Sequence, residues 1–192
     1  MRIISGEKKG TPLLAPAGMD TRPTTDKVKE AIFDIIQFSL EGARVLDLFA
    51  GSGQMGLEAL SRDAMNCTFI EKDRRAFDAV AKNIMACGFG ERAKLFKRDS
   101  LAFLDTCGKG AFDIIFLDPP YGKGLLEEAL EKIYLFDILS ASGIIICECG
   151  QPFTEKVPLP YEVKKTYRYG KIHVATICKQ VQNENSDDPG EL

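Results

Sequence analysis

Apolar residues in this chain recur in two rhythms that alternate from one end to the other. Short dense runs such as Val45-Leu46-Asp47-Leu48, Cys67-Thr68-Phe69-Ile70 and Ile114-Ile115-Phe116-Leu117 are rich in β-branched and aromatic residues and are too short for buried helices, so they predict strands. Between them the apolar positions follow helical spacing: Val28, Ala31, Ile32, Ile35 and Ile36 after Thr24, then Ala76, Phe77, Val80, Ala81 and Ile84. The pattern predicts strands over 44–48, 67–71, 93–96, 113–117 and 143–147, and helices after Thr24 and over 57–62, 74–87, 101–106 and 125–136. Thr24 is an expected N-cap, and Gly88 an expected helix stop. A β-hairpin over 161–167 and 171–178 closes the order, and a second one over 2–4 and 11–14, with Lys8 and Lys9 at its tip, opens it.

Strands that alternate with helices build an α/β, Rossmann-like fold with a mostly parallel sheet, whose ligands bind outside the carboxyl ends of the strands. Five acids fall on that edge: Asp47, Glu71, Asp99, Asp118 and Glu148. If the sixth strand is also parallel, the turn Arg168-Tyr169-Gly170-Lys171 reaches the same rim. With 192 residues, one domain over 1–179 is expected, its first 20 residues forming the hairpin extension, followed by an acidic tail over 180–192 that is expected to be disordered.

Composition narrows this picture only slightly. Hydrophobic residues at 45% and charged residues at 28% suit a globular protein, and neither a signal-peptide pattern nor a membrane-spanning run is visible, so a cytoplasmic protein is expected. The six cysteines are scattered without a C-x-x-C pair, and His173 is the only histidine, which argues against zinc or histidine-triad chemistry; no metal site is expected. The net charge of −3 is uneven. Without the four acids of the tail the body has 25 bases against 24 acids, and 72–98 carries eight bases against three acids, a local basic face for a polyanion or a solvated helix face.

Two motifs carry the chemistry. Gly51-Ser52-Gly53-Gln54-Met55-Gly56 is a G-x-G-x-x-G turn between strand and helix, where the backbone approaches a cofactor closely at a helix N-terminus. Asp47, four residues before the first glycine, disfavours a pyrophosphate there and attracts an ammonium, while Glu71 stands where doubly wound folds place the carboxylate for ribose hydroxyls. Asp99 is placed for an adenine amine or, equally, as an N-cap. The second motif is Asp118-Pro119-Pro120-Tyr121. Its two prolines lack N–H groups and stiffen the exit from the strand, so a carboxylate, a free carbonyl at Pro119 and an aromatic face at Tyr121 are displayed together. Two acceptors beside a stacking platform suit a planar base with an exocyclic amine.

In this order the motifs resemble the RsmD family of bacterial methyltransferases, which act on the exocyclic N2 of a guanine in 16S ribosomal RNA. The resemblance spans residues 1 to about 179 and rests on Arg2-Ile3-Ile4-Ser5-Gly6, Thr21-Arg22-Pro23-Thr24-Thr25-Asp26, Asp47-Leu48-Phe49-Ala50-Gly51-Ser52-Gly53, Gly56-Leu57-Glu58-Ala59-Leu60-Ser61-Arg62, Glu71-Lys72-Asp73, Asp118-Pro119-Pro120-Tyr121 and Tyr169-Gly170-Lys171. It implies a class I S-adenosylmethionine-dependent methyltransferase fold with seven strands, the last antiparallel, and an N-terminal hairpin. It also implies that Asp47, Gly51 and Gly53 hold the methionine and ribose portion of S-adenosylmethionine, that Glu71 binds ribose and Asp99 adenine, and that Arg22 and Thr24 border cofactor and substrate. Asp118, Pro119 and Tyr121 then form the catalytic turn, and Lys8, Lys9, Arg168 and Lys171 are candidate contacts to ribosomal RNA or to an assembling small subunit. Glu148-Cys149 stands where the family usually has Glu-His. Competing readings are an N6-adenine DNA methyltransferase, a hydride-transferring oxidoreductase and a noncatalytic RNA-binding or assembly module.

Overall fold

The computed structural model describes residues 1–16, 26–122 and 124–180. Arg22, Thr24 and the acidic segment beyond Gln180 therefore lie outside the described residues. A seven-stranded sheet runs in the order β3-β2-β1-β4-β5-β7-β6, with β1 at Arg44–Asp47, β2 at Asn66–Ile70, β3 at Ala93–Phe96, β4 at Phe112–Leu117, β5 at Leu139–Cys149, β6 at Tyr161–Tyr169 and β7 at Ile172–Lys179. The first five strands pair in parallel, and β7 is antiparallel to both β5 and β6, so β6 points the same way as the first five. The expected fold class is observed, and the β6–β7 turn lies on the carboxyl rim.

Both faces of the central strands are covered. Alternate residues of β1 point to opposite layers, Val45 to one and Leu46 to the other. The first layer holds α1 (Asp26–Ile35), α2 (Gln54–Ser61), α3 (Arg74–Cys87) and the N-terminal hairpin through Val28, Ile32, Phe33, Leu57, Leu60, Val80, Ile3 and Leu13. The second holds α4 (Ser100–Leu104) and α5 (Leu125–Leu135) through Leu104, Ala129, Leu130 and Ile133. Local chemistry sets the bounds of α3: Asp73 accepts from the N–H groups of Arg75 and Ala76, and Gly88, at φ 72°, closes the helix by returning its N–H to Ile84 and Met85.

Several bounds differ from expectation. The helix expected over 57–62 begins at Gln54, directly after Gly53, which takes the left-handed conformation at φ 76°. The strand expected over 143–147 extends to Leu139–Cys149, because tertiary pairing of Leu139 with Phe112 recruits the small polar stretch that hydrophobicity alone leaves out. The opening hairpin contains one bridge, Arg2 to Pro12, instead of two regular strands, consistent with Pro12 having no N–H for a ladder.

That hairpin is nevertheless firmly docked. Glu7 N–H donates to the last carbonyl of α2, Ser61 O, at 2.8 Å, and Lys8 N–H donates to Ser61 Oγ, so the hairpin caps a helix end whose carbonyls lack partners. Gly6 makes the approach possible: at φ 80°, an added Cβ would lie 1.7 Å from Ser61 O. Beneath it Glu58, fully buried, accepts from Ile4 N–H at 2.7 Å, Ser5 N–H at 2.9 Å and Arg62 Nε at 2.9 Å, with Lys29 Nζ at 3.6 Å. Lys29 in turn donates to Arg2 O at 2.6 Å. No helix among the described residues is long and apolar enough to cross a membrane.

Candidate active site

The carboxyl edge gathers the predicted acids because each follows a parallel strand. Asp47 ends β1, Glu71 follows β2, Asp99 follows β3, Asp118 follows β4, and Glu148 is the penultimate residue of β5. Register places Leu117 beside Cys147, so the next residues along, Asp118 and Glu148, are neighbours across the β4–β5 pair.

The glycine loop is braced from below and from the side. Asp47, 4% exposed, lies under it and accepts the Gly56 N–H at 3.0 Å. Glu71 accepts Gly51 N–H at 2.9 Å with one oxygen and Asp73 N–H at 2.8 Å with the other, so the residue expected at a ribose also holds the loop. Gly51 takes φ 56° and Gly53 φ 76°, a conformation that disfavours side chains. Asp99 caps α4, accepting from Leu101 and Ala102 N–H groups, and pairs with Lys72 at 3.5 Å on the exposed rim. Its N-cap role is observed; side-chain capping leaves the second oxygen outward.

Electrostatically the site is unbalanced. Burial pushes the Asp47 carboxyl up to about 7, against the opposing Gly56 hydrogen bond, and Glu71 adds to the rise. Asp118 is raised well above the ordinary carboxylate range, first by its crowded, desolvated position and then by Glu148 and Asp47. One side of Asp118 remains open to water, which screens part of the effect without reversing it. Glu148 and Asp47 both act on Asp118, an arrangement that favours a cation or hydrogen-bond donors beside it.

Tyr121 completes the turn. Its ring packs over Gly150, where an added Cβ would lie 3.3 Å from the ring, and burial, then the carboxyl groups of Asp118 and Glu148, push its phenol above its ordinary range. The tyrosine remains 58% exposed. Pro119 is buried and anchors the turn, whereas Pro120 is exposed.

Sequence reasoning assigned no role to Glu148 or Asn83. Asn83, 1% exposed, accepts Leu14 N–H at 2.8 Å and donates to Leu14 O at 3.0 Å and to Ser52 O at 2.9 Å, tying the chain just before 17–25 to the glycine loop. Its signal in the sequence was a polar residue on the apolar face of α3, three positions after Val80.

The predicted RNA contacts separate in space. Lys171 is exposed at the carboxyl rim, and Arg168 beside it folds back to donate to Gly170 O at 3.1 Å. Lys8 and Lys9 belong to the hairpin tip at the C-terminal end of α2, toward the opposite edge. Of the basic run over 72–98, Lys72, Arg74 and Arg92 form ion pairs with Asp99, Asp78 and Glu7. A groove of about 930 Å³ between the end of α5 and the segment before β6 opens at the amino edge and contains none of these residues.

A family model described as conserved hypothetical protein 95 matches residues 1–178. The chain belongs to this family, the RsmD family. It is 33% identical to the ribosomal RNA small subunit methyltransferase D of Escherichia coli over 98% of this chain and 94% of that protein. It is 44% identical to the putative rRNA methyltransferase YlbH of Bacillus subtilis, over 77% of this chain and 82% of that one. A solved structure described as the putative methyltransferase yhhF from Escherichia coli superposes with a TM-score of 0.83 at 32% identity, over 95% of this chain and 99% of that chain. The RsmD-family match thus spans the hairpin, the glycine loop and the Asp118–Tyr121 turn together.

Proposed function

We propose that this RsmD-family chain transfers a methyl group from S-adenosylmethionine to small-subunit ribosomal RNA, with the exocyclic N2 of a guanine as acceptor. The observation that carries the reading is the juxtaposition, on one sheet edge, of a braced glycine loop at the start of α2 with the Asp118–Tyr121 turn and Glu148. The residues fit the cofactor chemically: bent-back glycines admit close approach, Asp47 and Glu71 supply negative charge for an ammonium and hydroxyls, and Asp99 reaches the adenine side of the rim. Arg22 and Thr24 are assigned to the border between cofactor and RNA by the family pattern. When bound, S-adenosylmethionine supplies a methyl group activated by its sulfonium.

The chain's own residues orient the acceptor. Asp118 and the Pro119 carbonyl take the two amine hydrogens, and Tyr121 supports the base plane. The N2 lone pair is delocalised into guanine, so its direction and the positive charge that develops on nitrogen are what the site must control. The N–C bond forms as the C–S bond breaks, and one N2 proton then passes to Asp118 or to water. Desolvation first, and then Glu148 and Asp47, hold Asp118 toward its protonated form, in which its carbonyl oxygen still accepts an amine hydrogen. The base must leave any stack to enter, as in other base-modifying enzymes. Lys171 and Arg168 are proposed to contact RNA near the site, and Lys8 and Lys9 to contact it at a distance.

The test is transfer of labelled methyl from S-adenosylmethionine to small subunits from a strain lacking the corresponding enzyme, followed by mass mapping of the product nucleotide. Label on guanine N2 is expected. Label on adenine N6, or on DNA alone, would overturn the assignment.

A further inference from the structure

The edge strand β6 carries a feature that the methyl-transfer site does not use. Lys165, Tyr167 and Tyr169 occupy alternate positions, and each pairs across to β7, Lys165 with Thr176, Tyr167 with Val174 and Tyr169 with Ile172. The two tyrosine rings are 10° from parallel with centroids 6.3 Å apart, and Lys165 Nζ sits 5.0 Å from the centre of the Tyr167 ring. The arrangement depends on a bulge. Pairing slips between Val163 and Lys165, so the alternation of β6 reverses at Lys164. Tyr161 therefore packs in the α4–α5 layer, whereas Tyr167 and Tyr169 lie against the opposite layer with Ile172 and Val174.

We propose that Tyr167 and Tyr169, with Lys165 and Lys171, form a stacking platform for unpaired bases of the RNA strand that flank the target nucleotide; this rests on the reading of the protein as an RNA methyltransferase. Parallel aromatic rings next to lysines are how proteins hold single-stranded nucleic acid, one ring to a base and cations along the backbone. Both tyrosines are partly exposed, and since Lys165 lies over one face of Tyr167 and Tyr169 stacks beside the other, the outer face of Tyr169 is the one left for a base to extend the stack; Lys164, Lys165, Arg168 and Lys171 are exposed. Over 162–171 Glu162 is the single acid against those four bases, a charge balance complementary to a polyanion. Asp34 of α1 is near enough to Tyr169 to contribute to raising its phenol, after burial and Tyr167. Position supports the role as well. β6 ends on the same rim as Asp118, three strand spacings away in the order β4-β5-β7-β6, roughly 14 Å at about 4.8 Å per spacing. A base splayed into the active site thus leaves its neighbours within reach of this platform.

The experiment compares the Y167L/Y169L and Y167F/Y169F double variants of the full chain. Leucine retains apolar contact with the layer below but removes the π-face, whereas phenylalanine keeps both. Binding is read by fluorescence anisotropy with labelled oligo(A) and with duplex RNA of equal length, and steady-state methylation of small subunits is measured alongside. The leucine pair is expected to weaken oligo(A) binding roughly 10- to 100-fold and to raise KM for RNA in step, with kcat and S-adenosylmethionine affinity unchanged and duplex binding little altered. The phenylalanine pair is expected to restore binding. Equal oligo(A) affinity for the leucine pair and the wild type overturns the platform, as does equal loss in both variants. Because oligo(A) binding requires no methyl transfer, tyrosine-dependent binding without any methylation would uphold the platform while overturning the proposed reaction.

Discussion

Asp47 and Glu58 lie at the two ends of the same short stretch of chain, both are buried carboxylates, and their surroundings are opposite. Glu58 receives two backbone N–H groups and Arg62 and has Lys29 beside it, so its charge is fully answered. Asp47 receives one N–H from Gly56 and faces Glu71, while Asp118 and Glu148 stand close by. Burying a charge without partners is costly, and a fold retains such a group where a ligand completes it. The matched cluster therefore holds the N-terminal hairpin to α2, whereas Asp47 under the glycine loop is answered by the single N–H of Gly56. The basic side of the ledger shows the same division: Lys29 is lowered by burial and partly restored by Glu58 and Asp26.

Each side of this contrast can be broken separately. The largest effect is expected at the matched cluster. Glu58→Ala leaves Lys29 buried without its carboxylate and the Ile4 and Ser5 N–H groups without an acceptor, and should cost about 3–5 kcal/mol of stability, measured by urea unfolding; the double change Glu58→Leu with Lys29→Met removes the buried charge but does not restore those hydrogen bonds, and should recover only part of the loss. A loss below about 1 kcal/mol would mean that the hairpin is not held by this pair. At the carboxyl edge, Asp118→Ala should lower kcat roughly 10²- to 10³-fold while S-adenosylmethionine affinity by calorimetry stays within about twofold, the size expected for one lost electrostatic partner in a transition state. Undiminished turnover would remove Asp118 from the reaction.

Asp47→Asn should have two smaller and opposed effects. The folded-state carboxyl is raised to about 7 from an unfolded value near 3.8, so its contribution to stability is most favourable below pH 4 and is lost as pH climbs through 7. At pH 8 the neutral amide should accordingly raise Tm by roughly 2–6 °C, what 1–2 kcal/mol amounts to in a chain of this length. The same change should weaken S-adenosylmethionine if Asp47 supplies the charge proposed for its ammonium. The smallest effect is a titration: cofactor affinity of the unmodified protein should be flat above pH 8 and fall by at most about tenfold per pH unit below 7, and Asp47→Asn should flatten the profile. A flat profile in the parent would place the ammonium elsewhere.

Much of the fold was legible because its signals are local. Runs of β-branched residues marked the core strands, Gly88 stopped α3 where the helical spacing ends, and Asp99 read as an N-cap from its place before an apolar stretch. The site was legible for a related reason: in a parallel sheet an acid that follows a strand lands on the carboxyl edge whatever the strand order, so five acids converge without knowledge of their distances. Glu148 was visible on that edge but the packing of Tyr121 over Gly150 was not, since nothing local says which side chain bends toward β5.

The sequence by itself determined the α/β order, the edge on which the acids gather and the glycine turn, because backbone propensity, side-chain spacing and missing N–H or Cβ groups act within a few residues. Tertiary structure alone decided that Lys29 meets Glu58, that Gly6 lets the hairpin cap α2, that Asn83 joins Leu14 to Ser52, and that a slip at Lys164 turns Tyr167 and Tyr169 away from the layer of Tyr161. Each of these is a pairing between segments distant along the chain or a register set by a neighbouring strand. Their free energies come from burial and complementarity that exist only once the layers have packed.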